Sequence, residues 1–120
     1  MSFKEFKDSL NVFAQKFSVK TEEYAKITKL NIDIKKIESD ISKLYKELGK
    51  EVFMIRDSGV TELPFKGTNV SDLCDRVSDY LKQIDVKKDE IDEIRKTAHL
   101  KESEISAQTD SADDSDDGDE

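Results

Sequence analysis

Two side chains with reactive groups stand alone in this sequence: one cysteine and one histidine. A reactive thiol needs a nearby cation or base that lowers its pKa, and Cys74 has only Arg76 close to it in the chain. Catalysis or metal binding at His99 would need a second histidine or a free cysteine as a partner. We therefore interpret Cys74 as a small, half-buried apolar residue and His99 as a positive side chain that favours a helix C-terminus.

Carboxylates are abundant, but their pattern does not indicate acid–base chemistry. The pairs Asp89-Glu90 and Asp92-Glu93 follow one another on what should be a helix surface. Carboxylates that act in catalysis need a pocket that separates their pKa values, and a pair of narrow apolar stripes offers no such pocket. The sequence therefore predicts a protein that is not an enzyme, with no catalytic residue, no cofactor and no metal site.

The net charge of −8 comes entirely from the last twenty residues, which hold one lysine and nine acidic side chains. Residues 1–100 hold 19 basic and 19 acidic side chains, so they are neutral and lack the basic face that nucleic-acid binding requires. Residues 106–120 have no apolar periodicity and a high charge, which predicts a disordered acidic tail. That tail either keeps the protein in solution or engages a basic partner or divalent cations.

Residues 30–50 are three copies of a seven-residue unit, LNIDIKK, IESDISK and LYKELGK. Each copy places apolar residues at the first and fifth positions, an acidic residue at the fourth and a lysine at the seventh. Such a heptad repeat is typical of a coiled-coil helix, and we expect this helix to run over residues 21–57. Its apolar ladder is Ile27, Leu30, Ile34, Ile37, Ile41, Leu44 and Leu48.

A second ladder with the same spacing predicts a second long helix over residues 70–105. The loop between the helices, residues 58–69, contains the only proline, and Gly59 is the expected C-cap of the first helix. The apolar segments 27–55 and 70–98 have equal lengths, so they should pair as an antiparallel hairpin. Lys87 interrupts the second ladder, whose apolar rungs include Leu73, Val77, Tyr80, Ile84, Ile91 and Ile94.

Charges on the two helices leave two alignments of the hairpin open. One places Glu47 near Arg76, and the other places Glu38 near Lys88. Lys87 either fixes the alignment of the helices, as a polar residue in an apolar seam can do, or extends its ammonium to solvent.

The N-terminal segment, residues 1–18, should form a separate amphipathic helix. Its apolar residues follow one another at intervals of three and four, which places them on one helical face. That face either packs on the hairpin as a third helix, packs in a dimer, or lies on a membrane surface with lysines beside it. The residues of this candidate partner or membrane face are Phe3, Phe6, Leu10, Phe13 and Phe17.

The segment KLNIDIKKIESDISKLYKELGKEVF, residues 29–53, resembles a family of small bacterial helical-hairpin proteins, in many of which a zinc ribbon with two C-x-x-C pairs follows the hairpin. The resemblance implies a helical hairpin over about the first 100 residues. It implies no zinc here, because this chain has no C-x-x-C pair and an acidic tail stands in place of the ribbon. The shared positions are Lys29, Leu30, Ile34, Lys36, Glu38, Ile41, Leu44, Tyr45, Glu47, Leu48 and Gly49.

Taken together, the patterns predict an all-α protein. It should be a long antiparallel two-helix coiled-coil hairpin with an N-terminal amphipathic helix and a disordered acidic C-terminal tail. We expect a structural or protein-interaction module that associates with itself or with another protein. The alternative is a peripheral membrane-surface protein anchored by its N-terminal helix. No small-molecule substrate is indicated, and the absence of an apolar leader or an 18-residue apolar run makes the cytoplasm the expected location.

Overall fold

The protein is an all-α helical hairpin in a computed structural model that describes residues 2–63, 65, 66 and 68–115, with side chains up to Gln108. Helix α1 comprises Phe3–Asp57 and helix α2 comprises Asn69–Ser115. No strand occurs among the described residues. The prediction of an all-α hairpin is confirmed.

The predicted boundary between an N-terminal helix and the first long helix is wrong, because α1 is continuous from Phe3 to Asp57. The intervening residues 18–23 contain no glycine or proline that would end a helix. Thr21, which was expected to start a new helix, instead lies inside α1 and donates its hydroxyl to the carbonyl oxygen of Phe17 at 2.9 Å. The N-terminal segment therefore cannot fold back on the hairpin as a third helix.

Three of the four helix ends follow local sequence signals. At the start of α1, Ser2 and Glu5 form a reciprocal capping box, with both bonds at 3.2 Å. At its end, Gly59 adopts a φ of 94° and donates its N–H to the Arg56 carbonyl at 3.0 Å, as expected for a C-cap glycine. The carbonyl of Thr68 accepts the N–H of Ser71 at 3.1 Å and so begins α2.

Gly49 inside α1 and Gly59 just after its end have different backbone conformations, so alanine should have opposite effects at the two positions. Gly49 lies inside α1, exposed, with open space where a Cβ would be, so Gly49→Ala should stabilise the protein by about 1 kcal/mol. Gly59→Ala should destabilise it by about 1 kcal/mol, because its positive φ is strained for alanine. Urea unfolding followed by circular dichroism measures both, and a destabilised Gly49→Ala variant would contradict the prediction.

The hairpin divides into two compact units, which we call the terminal half (Met1–Lys29 with Glu90–Glu120) and the loop half (Leu30–Asp89). The loop half holds a continuous apolar seam, and its side chains come from the two predicted ladders. Burial of such stripes is what stabilises a helical hairpin whose isolated helices would be marginal. The buried residues of the loop half are Ile34, Ile37, Ile41, Leu44, Val70, Leu73, Val77 and Ile84.

The terminal half has a much poorer seam. Among its described side chains, only Ile91 and Ala98 are buried. Half-buried Val12, Val19 and Ile27 mark the face of α1 that packs toward α2, and Ile94 and Ile105 are half-buried on α2. The remaining rungs of the predicted ladders, Leu30, Leu48 and Tyr80, lie in the loop half and are half-buried.

The alignment within the loop half is the one that places Glu47 near Arg76, since both residues line the same groove between the helices. Lys87 occupies its ladder position half-buried, and its ammonium lies 3.7 Å from a carboxylate oxygen of Asp33 on α1. The pair is partly exposed, so it contributes about 1 kcal/mol or less. The Lys87 ammonium thus has an acidic partner on the facing helix and is not in contact with solvent alone.

The C-terminal part of α2 also departs from expectation. The helix continues to Ser115, so the predicted start of the disordered tail at residue 106 is wrong, and residues 116–120 lie outside the described part of the chain. No glycine or proline occurs between residues 106 and 115 to end the helix. His99 consequently lies well inside α2 and not near its C-terminus, as the sequence had suggested.

Candidate interaction surface

The most prominent surface feature is an exposed apolar stripe on α1, which we call the Phe face (Phe3, Phe6, Leu10, Phe13 and Phe17). The exposed fraction of these side chains ranges from 52% for Phe6 and Leu10 to 82% for Phe3. In the same stretch, the residues that pack toward α2 are Val12 and Val19, on a different side of the helix. The Phe face is therefore left uncovered by the fold.

The Phe face is narrow. At 100° per residue its five members span about 80° of the helix circumference. Exposed Lys7, Ser9, Ala14 and Lys20 border it. Within the stripe, the rings of Phe13 and Phe17 stack at a centroid distance of 6.2 Å. An apolar stripe of this width with strict three-four spacing has the pattern of a coiled-coil seam.

A cluster of three charged residues stands beside the Phe face, in the seam of the terminal half. The ammonium of Lys20 lies 3.4 Å from Oε1 of Glu102 and 3.6 Å from Oε2 of Glu23. Those two carboxylate oxygens are buried and make no hydrogen bond of good geometry, so we treat both contacts as ion pairs. Carboxylates therefore occupy seam positions that apolar residues fill in the loop half.

Two groups of the terminal half have shifted pKa values. The close approach of the Glu102 side chain is the largest cause that raises the pKa of Lys20 above 10.5, and the negative charges of Glu102 and Glu23 act in the same direction. The hydrogen bond from Lys26 is the largest cause that lowers the pKa of Glu22 below 4.5, and the positive charges of Lys26 and Lys101 add to it. The charged Lys20 therefore stabilises the fold below pH 10.5, and this contribution is lost as the pH rises through the folded-state pKa of the lysine. The charged Glu22 stabilises the fold above pH 4.5, and this contribution is lost as the pH falls through the folded-state pKa of the carboxyl group.

The residues that were considered for chemistry are not brought together. Cys74 is half-buried on α2, while His99 and the acidic pairs at 89–90 and 92–93 are exposed. Among the described residues, no group of three or more His, Cys, Asp or Glu side chains is placed to hold a metal ion. The interhelical grooves are lined mainly by charged side chains; the one in the terminal half has a volume of about 170 Å³.

The sequence pattern identified the Phe face, but it did not show that the seam with α2 uses another side of the same helix. The residues it missed are Val12, Val19, Glu23 and Glu102, which continue the seam beyond the heptad repeat. Extending the ladder of α1 backward from Ile27 in two steps of four reaches Glu23 and then Val19. That signal was present, but the five larger apolar residues on another face of the helix dominated the pattern.

Neither described helix has a stretch that is apolar enough, over the necessary length, to cross a bilayer. No protein-family model, no curated protein and no solved structure matches the chain.

Proposed function

We propose that this protein is a non-catalytic helical-hairpin interaction module that self-associates through the Phe face. The observation that carries the proposal is the exposure of five large apolar side chains along one side of α1, away from its seam with α2. Fully burying a side chain of this size contributes roughly 1.5–3 kcal/mol. Exposed apolar patches of this kind mark interaction sites in soluble proteins.

A second copy of the chain is the partner that the stripe fits best. Its width and spacing match a helix that presents the same pattern, because knobs from one stripe then enter holes of the other. The four exposed residues that border the stripe include no acidic side chain, so two copies bring no carboxylates together along its edges. The resemblance of residues 29–53 to small bacterial hairpin proteins bears on the shape of the chain and not on its activity. We propose the cytoplasm as the location of the protein.

An anionic membrane is the competing partner, since Lys7 borders the stripe as lysines do in membrane-surface helices. The Phe face itself argues against it. Residues 1–29 hold six basic and four acidic side chains, a net charge of only +2, so anionic headgroups attract this segment weakly. A stripe about 80° wide is also typical of a coiled-coil seam rather than of a broad membrane-facing side.

Sedimentation equilibrium over a range of protein concentrations tests the proposal. We expect the wild type to form dimers and the Phe6→Ser/Phe13→Ser variant to raise the dissociation constant at least about 100-fold, since two buried aromatic anchors are lost. Phe53→Ser is the matched control, because Phe53 lies on α1 in the loop half and is 68% exposed. It should leave the dissociation constant unchanged.

Co-sedimentation with vesicles of phosphatidylserine and phosphatidylcholine completes the test. A wild type that stays monomeric and pellets with these vesicles, while Phe6→Ser/Phe13→Ser does not, would overturn self-association in favour of the membrane. A wild type that is monomeric and pellets with neither anionic nor neutral vesicles would overturn both.

A further inference from the structure

Lys20 occupies the position that continues the Phe face toward the middle of α1. The stripe ends at Phe17, and its spacing next requires apolar residues at positions 20 and 24; Tyr24 meets that requirement and Lys20 does not. The Lys20 ammonium is held by Glu102 at 3.4 Å and Glu23 at 3.6 Å, so it is tied to its own α2. One end of the Phe face is thus closed by a charge, whereas the other end, at Phe3, is open.

We propose that the two copies pair their Phe faces in antiparallel orientation, an inference that rests on the proposed self-association. Phe6 then lies level with the partner's Phe17, and Leu10 lies level with the partner's Phe13. Phe3, the most exposed member at 82%, lies level with the partner's Lys20. Every large apolar residue of the stripe is covered in this arrangement.

The charge on Lys20 selects this orientation over the parallel one. In an in-register parallel pair, the two Lys20 side chains, each with its ion-paired ammonium, would lie opposite each other in one layer of the seam. Two charged side chains in one layer interrupt an apolar seam, and a charged residue in a seam position specifies how helices pair. In the antiparallel pair the two Lys20 side chains lie at opposite ends of the overlap, each level with Phe3 of the partner copy, and no layer holds two charged residues.

A distance between spin labels distinguishes the two orientations. A label at exposed Lys29, introduced as Lys29→Cys in a Cys74→Ser background, reports on α1 just beyond the stripe. In the antiparallel pair the two labelled positions are 35 residues apart along the helix axis, or about 50 Å. In the parallel pair they lie at the same level, with only the width of the helix pair between them.

A second label at exposed Asn11 lies near the middle of the overlap. The distance between the two copies' labels at this position should be short in either orientation, and a short distance establishes that the Phe faces pair. A short distance from both labels in a dimer would overturn the antiparallel inference while leaving self-association intact. A protein that is monomeric by sedimentation overturns the proposed function itself. Lys20→Leu should add a short-distance population for the label at position 29, and its absence would overturn the role given to Lys20.

Discussion

Replacing Leu44 by alanine is expected to lower the free energy of unfolding by about 3 kcal/mol, within the range for deleting a buried leucine side chain. Leu44 is the most buried residue of α1, at 4% exposed. It lies in the loop half, where the continuous apolar seam holds the two helices together. A two-helix seam has no second layer that can move in to fill the cavity, so most of the lost contact energy should appear in the measurement.

Urea unfolding at a fixed protein concentration, followed by circular dichroism at 222 nm, measures this effect. Leu100→Ala is the matched control, because Leu100 lies on α2 and is 62% exposed; its free energy of unfolding should stay within about 0.5 kcal/mol of the wild type. Equal destabilisation by both substitutions would show that the seam of the loop half is not what holds the hairpin.

The second large effect is a gain in stability. Replacing both seam carboxylates of the terminal half, as in Glu23→Leu/Glu102→Leu, should raise the free energy of unfolding by about 2 kcal/mol. Their side chains are only 17% and 22% exposed, and each has a buried oxygen without a hydrogen bond. The ammonium of Lys20 remains largely exposed in the variant, so no charge is left buried without a partner.

Hydrogen exchange localises this gain, because amides of residues 8–27 and 94–105 should exchange more slowly in the double variant. Glu104→Leu is the control, because Glu104 is exposed on α2. A leucine at this position buries no apolar surface against α1, so the stability should not rise. A double variant no more stable than the wild type would mean that the two ion pairs with Lys20 compensate for the burial of the carboxylates.

The helical hairpin was predictable because its signals are local. A capping box at Ser2 and Glu5, a glycine at position 59 and the three-four ladders each act within one or two turns of helix. The break at 18–23 and the early end of α2 at 105 were predicted wrongly for a related reason. Weak polar stretches without glycine or proline carry no signal strong enough to stop a helix whose neighbouring turns are already formed.

The alignment of the helices and the environment of the Phe face were not predictable in the same way. Three near-identical heptads allow the helices to pair in more than one alignment with similar apolar contacts. The choice depends on contacts between residues far apart in the chain, such as Asp33 with Lys87. The sequence likewise offered two apolar faces on the first part of α1, and only packing against α2 shows which of them is used.

The sequence alone thus determined that the chain is an all-α hairpin, that Gly59 follows α1 as its C-cap, and which residues line the seam of the loop half. The tertiary structure decided that α1 turns Val12 and Val19 toward α2 and leaves Phe3 and Phe13 exposed. The physical reason is that a three-four spacing places apolar residues on one side of a helix but does not say which side meets another helix. Within the terminal half, the contact with α2 uses the side of Val12 and Val19, although the larger apolar residues lie on another side.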